Sequence, residues 1–447
     1  MTAAPRHPLT LDGRDPRNLR GDKITGDRYY SPEFAKKEWD GLWTRIWHIA
    51  GRVNELQEAG DFVVHDFMHE SVICVRQDDG GIRAFHNTCR HRGQRLVDDS
   101  SWVSDFKCPY HGWRWGLDGV LKEVQDPEDF PQGDPCGKLT LKELPCDTWG
   151  GFVWYSMDPD AQPLLDFLEP MPEIYKNYKL DTLVRVAWMR IELNTNWKFA
   201  TDNFVESYHT RTLHPQVPPW IDQHVDSARH EMFPKGHGRT VQPMRPSLVD
   251  RLPPGTPEPN DALLRQWDLD PDAYPDFETK VMQGWLDLKA QKRKLWKERG
   301  YVHYENLNDE ELTDSPHTVF FPNVTMSFLP DQLGFFRTEP HPDDPGKCYF
   351  DLWSFVYPTP GVEEVHALMI GQRPLMEAGF RDDRVFDKGR GCADIAGQIV
   401  YQDMTIAEAQ QRGLRSRGYE DAYLSAQETR VRFFHEVLND WLEGGAR

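Results

Sequence analysis

The sequence predicts an α+β protein in which a small all-β domain precedes a larger domain of helices and antiparallel strands. Short apolar runs separated by glycine-containing turns fill the region from Trp43 to Ser156, as is typical of an all-β domain. Strand-like runs return over 320–357, and an amphipathic helical pattern follows over 420–442. The length of 447 residues exceeds what one compact core normally spans, so two domains are expected.

The first domain is predicted to contain two hairpins. Residues 61–67 and 71–75 are apolar runs, and a turn rich in aspartate and glycine leads from them into a further strand over 82–85. A second hairpin is predicted from 113–115 and 120–121, which flank another glycine-containing turn. Strand ends of this kind can hold loops rigidly.

The second domain is predicted to combine helices with an antiparallel sheet. Residues 196–214 form a helical stretch that the prolines after it bring to an end. Three strands are predicted over 324–328, 333–337 and 349–356. The closing helix covers 420–442, because its apolar residues recur three and four positions apart.

The domain boundaries follow from these patterns. We expect an N-terminal segment over 1–42 that packs on the second domain, a first domain over 43–156 and a second domain over 157–447. Eight prolines and few apolar runs occur within 243–276, which indicates an extended surface insertion or lid. We place that insertion at about 217–318.

Composition narrows the possible functions. Lysine and arginine total 52 against 72 aspartate and glutamate, a formal charge of −20, which argues against nucleic acid and anionic membranes as partners. No apolar run is long enough to span a bilayer and no signal peptide is apparent, so a cytoplasmic protein is expected. The seven cysteines do not suggest a disulfide scaffold in so long a chain.

Two cysteine–histidine pairs carry the clearest chemical signal. Cys89 and His91 lie two positions apart, and Cys108 and His111 lie three apart soon afterwards. Two thiolates and two imidazoles are the ligands of a Rieske [2Fe–2S] cluster. Zinc also takes two cysteines and two histidines, but its usual knuckle places two ligands of one kind close together. The sequence therefore predicts a Rieske cluster that transfers electrons.

A second metal site is predicted in the helical stretch after the first domain. His209 and His214 offer two imidazoles, and two histidines with one carboxylate form the site of non-haem Fe(II) oxygenases. On an ideal helix the two histidines differ by about 140°, but Pro215 disfavours helical backbone at His214 and lets it turn back. Glu206 shares the face of His209 and could orient that imidazole. The alternative is a pair of ordinary histidines at a helix end.

Two aspartates compete for the third ligand position. Asp394 and Asp403 both lie near helical sequence in the last part of the chain. Asp403 would begin a helix over 404–411, where a carboxylate favours the helix dipole. Its alternative role is a solvated helix cap.

With these motifs the chain resembles the α (oxygenase) subunit of Rieske non-haem iron ring-hydroxylating oxygenases. The segment Asn-Phe-Val-Glu-Ser-Tyr-His that ends in His209, followed by His214-Pro215, is similar to the iron motif of that family. The family places its aspartate ligand ahead of a Gln-x-Gly pattern, and Gln411-Arg412-Gly413 matches it, which favours Asp403. The resemblance implies a helix-grip-like catalytic domain with His209, His214 and Asp403 as iron ligands.

The resemblance also implies an electron route. NAD(P)H would reduce a separate reductase, with or without a ferredoxin, and that protein would reduce the cluster. In a homotrimer of α subunits, with or without a β subunit, the electron would pass from His111 of one chain through Glu206 to His209 of the next. Asn203 and Glu206 are the candidate catalytic residues. The family's usual bridge is aspartate, and glutamate there is similar to members that act on quaternary amines.

The expected reaction is dihydroxylation of an aromatic or other apolar substrate, as in aromatic hydrocarbon catabolism. Monooxygenation or demethylation of a quaternary amine, methoxy or N-methyl substrate is the alternative, and a Rieske electron carrier without oxygenase activity is the alternative class. We expect an apolar substrate pocket, whose predicted lining is Phe204, Val205, Met326 and Phe328.

Overall fold

The structure is a computed structural model that describes residues 10–11, 19–224, 226–249, 260–367, 370–379, 381–386 and 393–444, without the side chains of 10, 11 and 393–398. The chain divides into two compact units. One comprises residues 36–172, and the other combines the residues up to 35 with residues 173–446. We call them the cluster unit and the catalytic unit. The domain boundaries predicted from the sequence remain predictions.

Strands outnumber helices among the regular elements of the described residues. In chain order, the strands are β1 (Thr10–Leu11), β2 (Trp47–Arg52), β3 (Asp61–Phe67), β4 (Glu70–Arg76), β5 (Ile82–His86), β6 (Ser101–Trp102), β7 (Phe106–Lys107), β8 (Arg114–Trp115), β9 (Leu121–Glu123), β10 (Glu143–Leu144), β11 (Cys146–Trp149), β12 (Phe152–Ser156), β13 (Val184–Leu193), β14 (Arg229–Met232), β15 (Gly238–Pro243), β16 (Asp314–Phe320), β17 (Val324–Phe328), β18 (Gln332–Pro340), β19 (Cys348–Val356), β20 (Glu364–Ala367), β21 (Gly371–Pro374) and β22 (Asp382–Val385). The α-helices are α1 (Pro32–Glu38), α2 (Leu164–Leu168), α3 (Met171–Ile174), α4 (Lys198–Phe204), α5 (Thr210–Leu213), α6 (Asn260–Gln266), α7 (Phe277–Leu295), α8 (Ala393–Leu414) and α9 (Thr429–Leu442).

The cluster unit is built from three small sheets. Their strand orders are β10-β5-β4-β3-β6, β11-β12-β2 and β7-β8-β9. Both predicted hairpins are present, since β3 pairs with β4, β4 with β5, and β8 with β9. Gly119 in the second hairpin has φ +78°, and a Cβ there would lie 2.5 Å from the ring of Phe85. Only glycine fits that turn without displacing the core.

The catalytic unit is organised around one sheet of nine strands in the order β1-β14-β15-β16-β17-β18-β19-β13-β22. All neighbours in it are antiparallel except β1 with β14 and β13 with β22. Residues paired in register share a face of a sheet, and neighbours along a strand alternate between faces. His317, Ser327 and Phe336 therefore lie on one face, which we call the site face. Thr318, Met326 and Phe335 lie on the other face.

The predicted helix over 196–214 is wrong in its middle. The structure has α4 and α5 instead, with residues 205–209 between them. The side chain of Glu206 accepts hydrogen bonds from the backbone N–H groups of Tyr208 and, at 3.2 Å, His209. Such local bonds offer the backbone an alternative to the helical ladder. The break occurs within the segment that carries the predicted ligands.

Other predicted elements also begin elsewhere. The closing helix starts at Thr429, after a 3₁₀ turn over Ala426–Glu428 in which the carboxylate of Glu428 accepts a hydrogen bond from the backbone N–H of Ser425 at 2.8 Å. Asp403 lies inside α8 instead of in a first turn, so the helix-dipole argument for it was wrong. Within the predicted insertion, β14, β15 and the first part of β16 are strands of the main sheet. The insertion itself remains a prediction. No helix of the described residues is long and apolar enough to cross a membrane.

Candidate metal centres

Two loops of the cluster unit carry the cysteines and histidines of the predicted Rieske site, and their backbones close in the same way. The N–H of Gly93 donates to the carbonyl of Cys89 at 3.0 Å, and the N–H of Gly112 donates to the carbonyl of Cys108 at 3.0 Å. Both glycines have positive φ, +77° and +72°, a conformation that glycine adopts without steric cost. Each loop thus presents its cysteine and histidine from a preset turn.

The four side chains converge. The rings of His91 and His111 lie 4.6 Å apart, and Cys89 and Cys108 are almost fully buried in one core cluster. The Nδ1 atoms of both histidines are buried and have no hydrogen-bond partner among the described residues. Burial raises the pKa of Cys89, and burial followed by the charge of His111 lowers the pKa of His91.

Unpartnered imidazole nitrogens beside two buried thiols are a costly arrangement without a bound group. An iron–sulfur cluster with mixed cysteine and histidine ligation supplies the missing partner to each of the four. The residues present therefore fit a Rieske cluster.

The second candidate centre brings together His209, His214 and Asp403, whose ligand atoms all lie within 4.8 Å of one another. Nε2 of His214 is 2.9 Å from Oδ1 of Asp403, and Nε2 of His209 is 3.8 Å from the same oxygen. The two rings stand nearly perpendicular, 5.1 Å apart at 82°. Two imidazoles and one carboxylate are the donor set that non-haem iron takes.

Outer partners orient both imidazoles through their second nitrogen. Nδ1 of His209 lies 2.5 Å from Oε1 of Glu206, and Nδ1 of His214 lies 2.8 Å from Oε1 of Gln402. Acceptors at Nδ1 hold the proton there and leave Nε2 free to bind a metal. Burial lowers the pKa of His214, but the hydrogen bond and charge of Asp403 outweigh it and raise the pKa overall.

The two histidines flank the short helix α5, and the non-helical backbone of His214 explains how they meet. His209 precedes α5, and His214 follows it with φ −124°, outside helical geometry. The imidazoles are therefore not held to the 140° separation of an ideal helix, as expected from Pro215. The sequence did not predict a role for Gln402, and its position next to Asp403 was the one signal that could have indicated it.

Gln411 anchors α8, the helix that carries Asp403. Its side-chain oxygen accepts a hydrogen bond from the N–H of Asn196 at 3.0 Å, and its amide donates to the carbonyl of Tyr29 at 2.7 Å. The residue is 4% exposed. The Gln-x-Gly pattern that favoured Asp403 thus has a structural reason, because its glutamine fixes α8 next to the strand and helix that lead to the ligands. The side chain of the competing Asp394 lies outside the described residues.

Two of the four predicted pocket residues are wrong. Met326 and Phe328 lie on the sheet face opposite the ligands, where the ring of Phe328 stacks on Tyr175 at 3.8 Å. Phe204 packs on the site face, with its ring 5.0 Å from that of Phe336. Val205 belongs to a buried core cluster.

A cavity of about 680 Å³ borders Glu206 and His209 within the catalytic unit. Asn203 and Asp202 also line it, and the side-chain nitrogen of Asn203 is buried with no partner among the described residues. Asp202 is held by the hydroxyl of Tyr29 at 2.6 Å and by His435 at 3.0 Å. Both predicted catalytic residues, Asn203 and Glu206, therefore line this cavity.

Two family comparisons cover most of the chain. Residues 46–140 match the Rieske [2Fe-2S] domain, and residues 180–444 match the family described as ring hydroxylating alpha subunit (catalytic domain). The first match contains Cys89, His91, Cys108 and His111, and the second contains His209, His214 and Asp403.

Individual relatives fall into two groups by their names. The chain is 31% identical over 215 residues to the carnitine monooxygenase oxygenase subunit of Escherichia coli (strain K12), a match covering 46% of this chain and 55% of that one. It is 32% identical over 199 residues to the large oxygenase component of the 2,4-dinitrotoluene dioxygenase system of Burkholderia sp. (strain RASC), covering 42% and 44%. The matched region thus spans about half the length of these relatives.

Solved structures share the fold over nearly the whole chain. A quaternary ammonium Rieske monooxygenase, CntA, superimposes with a TM-score of 0.66 at 17% identity, covering 95% of this chain and 97% of that one. Naphthalene 1,2-dioxygenase from Rhodococcus sp. gives 0.65 at 19% identity and covers 97% of each. The α+β class with an antiparallel catalytic sheet is confirmed. With the catalytic-domain match extending over more than half of its length, this chain belongs to the family of ring-hydroxylating oxygenase alpha subunits.

Proposed function

We propose that this chain is the terminal oxygenase of a multicomponent Rieske system, in which a separate reductase passes electrons from NAD(P)H to the cluster. The observation that carries the proposal is the convergence of His209, His214 and Asp403, in a chain that also holds the complete Rieske ligand set. A simple electron carrier has no need for a second metal centre. With iron and the cluster bound, the metals supply electron storage and dioxygen activation.

The residues of the chain provide orientation and coupling. Glu206 accepts the Nδ1 proton of His209 and also lines the cavity beside it. It is therefore placed to connect the iron ligand with a group that docks in that cavity. Gln402 holds the second imidazole in the matching tautomer. We propose that the docking group is His111 of a neighbouring copy in a ring of three subunits. The proposal requires neither a ferredoxin nor a β subunit.

For the substrate we propose a quaternary amine that is monooxygenated at a carbon attached to nitrogen. The aromatic dihydroxylation expected first from the sequence has less support, because carnitine, glycine betaine and choline monooxygenase subunits are among the matching relatives. Glu206 in place of the usual aspartate agrees with this substrate class. Aromatic hydroxylation is the second candidate, favoured by the dinitrotoluene relative.

The reaction balances with one dioxygen and one NAD(P)H. One oxygen atom enters the C–H bond next to nitrogen and the other leaves as water. The resulting carbinolamine then breaks its C–N bond to give an amine and an aldehyde. An arene would instead keep both oxygen atoms.

The test is turnover of the purified oxygenase with a surrogate reductase under ¹⁸O₂. Glycine betaine, carnitine, choline and naphthalene are supplied in turn, and amine, aldehyde and labelled products are measured. We expect release of an amine, together with an aldehyde that carries one labelled oxygen when it forms. A cis-dihydrodiol with two labelled atoms would support the aromatic alternative. Reduction of the cluster without oxygen uptake on any substrate would support the electron-carrier class.

A further inference from the structure

Two consecutive residues of α8 contact the two ring nitrogens of His214. Its Nε2 lies 2.9 Å from Oδ1 of Asp403, and its Nδ1 lies 2.8 Å from Oε1 of Gln402. Nε2 is the nitrogen on the side of the other candidate ligands, so a metal held between them would meet this imidazole there. That nitrogen can bind a metal only when the ring proton is on Nδ1. The contact at Nδ1 therefore decides whether His214 is ready for iron.

Gln216 makes a second contact to the same amide oxygen of Gln402. Its Nε2 donates to Oε1 of Gln402 at 2.7 Å. Gln216 lies in the turn after α5, where the N–H of Val217 donates to the carbonyl of His214 at 2.9 Å. The side chain thus links the turn that carries His214 to α8. Two donors, one from Gln216 and one from the imidazole, converge on one acceptor.

The two amides have one other arrangement that keeps the same contacts. The oxygen and nitrogen of an amide are similar in size but opposite in hydrogen-bonding character, so both side chains could turn by 180° together. Gln402 would then donate to Gln216 and to Nδ1 of His214. The ring proton would move to Nε2, where it points at Asp403 and prevents metal binding. Turning one amide alone is unfavourable, because two oxygens or two N–H groups would face each other.

His209 has no such choice. Its Nδ1 lies 2.5 Å from Oε1 of Glu206, and an ionised carboxylate offers only acceptors. Either oxygen of Glu206 therefore keeps the ring proton of His209 on Nδ1. The two imidazoles of one centre are thus controlled differently, one by a carboxylate and the other by the direction of two paired amides.

We propose that Gln216 is a positioning residue of the iron site, which keeps the amide oxygen of Gln402 turned toward His214. Its effect on iron is indirect, because it sets the direction of the amide and the amide sets the position of the ring proton. The inference rests on the metal centre of the proposed function. In a purely structural role, Gln216 would only tie the turn after α5 to α8.

The test places the same charge at either end of the amide pair, in Gln402→Glu and in Gln216→Glu. In Gln402→Glu, the carboxylate still accepts from both donors, so the Kd for Fe(II) should fall or stay within ~3-fold of wild type. In Gln216→Glu, the carboxylate accepts from the amide of Gln402 and turns its oxygen away from His214. The Kd should then rise about 10- to 100-fold, as when an outer partner of a metal ligand is lost. Titration of protein depleted of mononuclear iron measures both values.

The alternatives predict equal changes in the two variants. A general effect of negative charge near the metal would lower the Kd in both. A purely structural link would survive in both, because residues 216 and 402 keep a hydrogen bond, and it predicts no change in either. The same change in both variants, or none in Gln216→Glu, would overturn the proposal.

Gln216→Leu guards against a carboxylate that prevents folding. It removes the donor without adding charge, so the amide of Gln402 can take either direction and only part of the molecules bind iron. The Kd should rise about 2- to 5-fold, and a wild-type Kd would contradict the role of Gln216. Thr405→Val is the matched control, because the hydroxyl of Thr405 donates to the backbone carbonyl of Gln402 at 2.6 Å and not to the amide pair. It should bind Fe(II) as wild type does, with the same cluster absorption.

Metal binding without turnover separates this inference from the proposed function. If the wild-type protein binds Fe(II) but oxidises no substrate, the proposed reaction is wrong, and the Kd values of the variants still test Gln216. Wild-type protein that binds no iron outside the cluster would overturn the proposed function and this inference together.

Discussion

The two candidate metal centres are assembled in different ways. In the cluster unit, all four proposed ligands come from two loops that are close in sequence, and each loop closes through its own backbone hydrogen bonds. In the catalytic unit, Asp403 follows His214 by 189 positions and reaches it through the packing of α8. One centre is thus mainly local, and the other depends on tertiary structure.

This contrast shows where each centre is vulnerable. A local loop keeps its ligand geometry as long as its strands are folded. A centre closed by a distant helix also depends on every contact that fixes that helix, such as the two hydrogen bonds of Gln411. Substitutions in the catalytic unit should therefore lower the content of mononuclear iron without changing the spectrum of the cluster.

The largest effect is expected for His209→Ala. The change removes one iron ligand and the partner of Glu206, so iron content should fall from about three to about two per chain. Turnover should fall at least ~10³-fold, because losing even an outer-shell partner costs 10–100-fold at metal sites. Metal analysis, cluster absorption and product formation measure this. Product at the wild-type rate would remove His209 from the centre.

Asp403→Asn should come next. It keeps the shape of the side chain but removes the charge that the two imidazoles share, so iron affinity should fall about 100-fold or more. Titration of the metal-depleted protein with Fe(II) measures the loss. Asp394→Asn is the matched control and should bind iron as wild type does. The reverse result would transfer the ligand role to Asp394.

Glu206→Gln should separate electron transfer from metal binding. The amide keeps a contact to His209 but loses the carboxylate charge, so both metals should stay bound while cluster-to-iron transfer slows about 100-fold. Rapid-mixing spectroscopy of the reduced protein with dioxygen and substrate follows cluster reoxidation. An unchanged single-turnover rate would show that electrons take another path.

The smallest effect tests the contrast between the centres most directly. Gln411→Leu leaves the buried N–H of Asn196 without its acceptor, at a cost of about 1–3 kcal/mol. We expect a lower melting temperature for the catalytic unit and iron affinity reduced several-fold, with the cluster spectrum intact. Calorimetry and Fe(II) titration provide the values. Loss of the cluster in this variant would contradict the separation of the two centres.

Features that depend on neighbouring residues could be predicted from the amino-acid sequence. Hairpins follow from alternation and turn residues, so the strands over 61–67 and 71–75 were predicted correctly. The loops at Cys89 and Cys108 also follow from local spacing, because glycine at fixed offsets permits both turns. The helix end at His214 was predicted, because a proline follows it. The break before His209 was not, because it depends on side-chain hydrogen bonds of Glu206.

Which distant groups meet is set by tertiary packing and could not be predicted in the same way. Every residue of β17 is buried, so its apolar sequence could not reveal that Met326 and Phe328 face away from the ligands. The placement of Asp403 and Gln402 likewise depends on how α8 packs within the catalytic unit. Periodicity specifies which residues share a face of an element, but the partner of that face is set by packing between segments far apart in the chain.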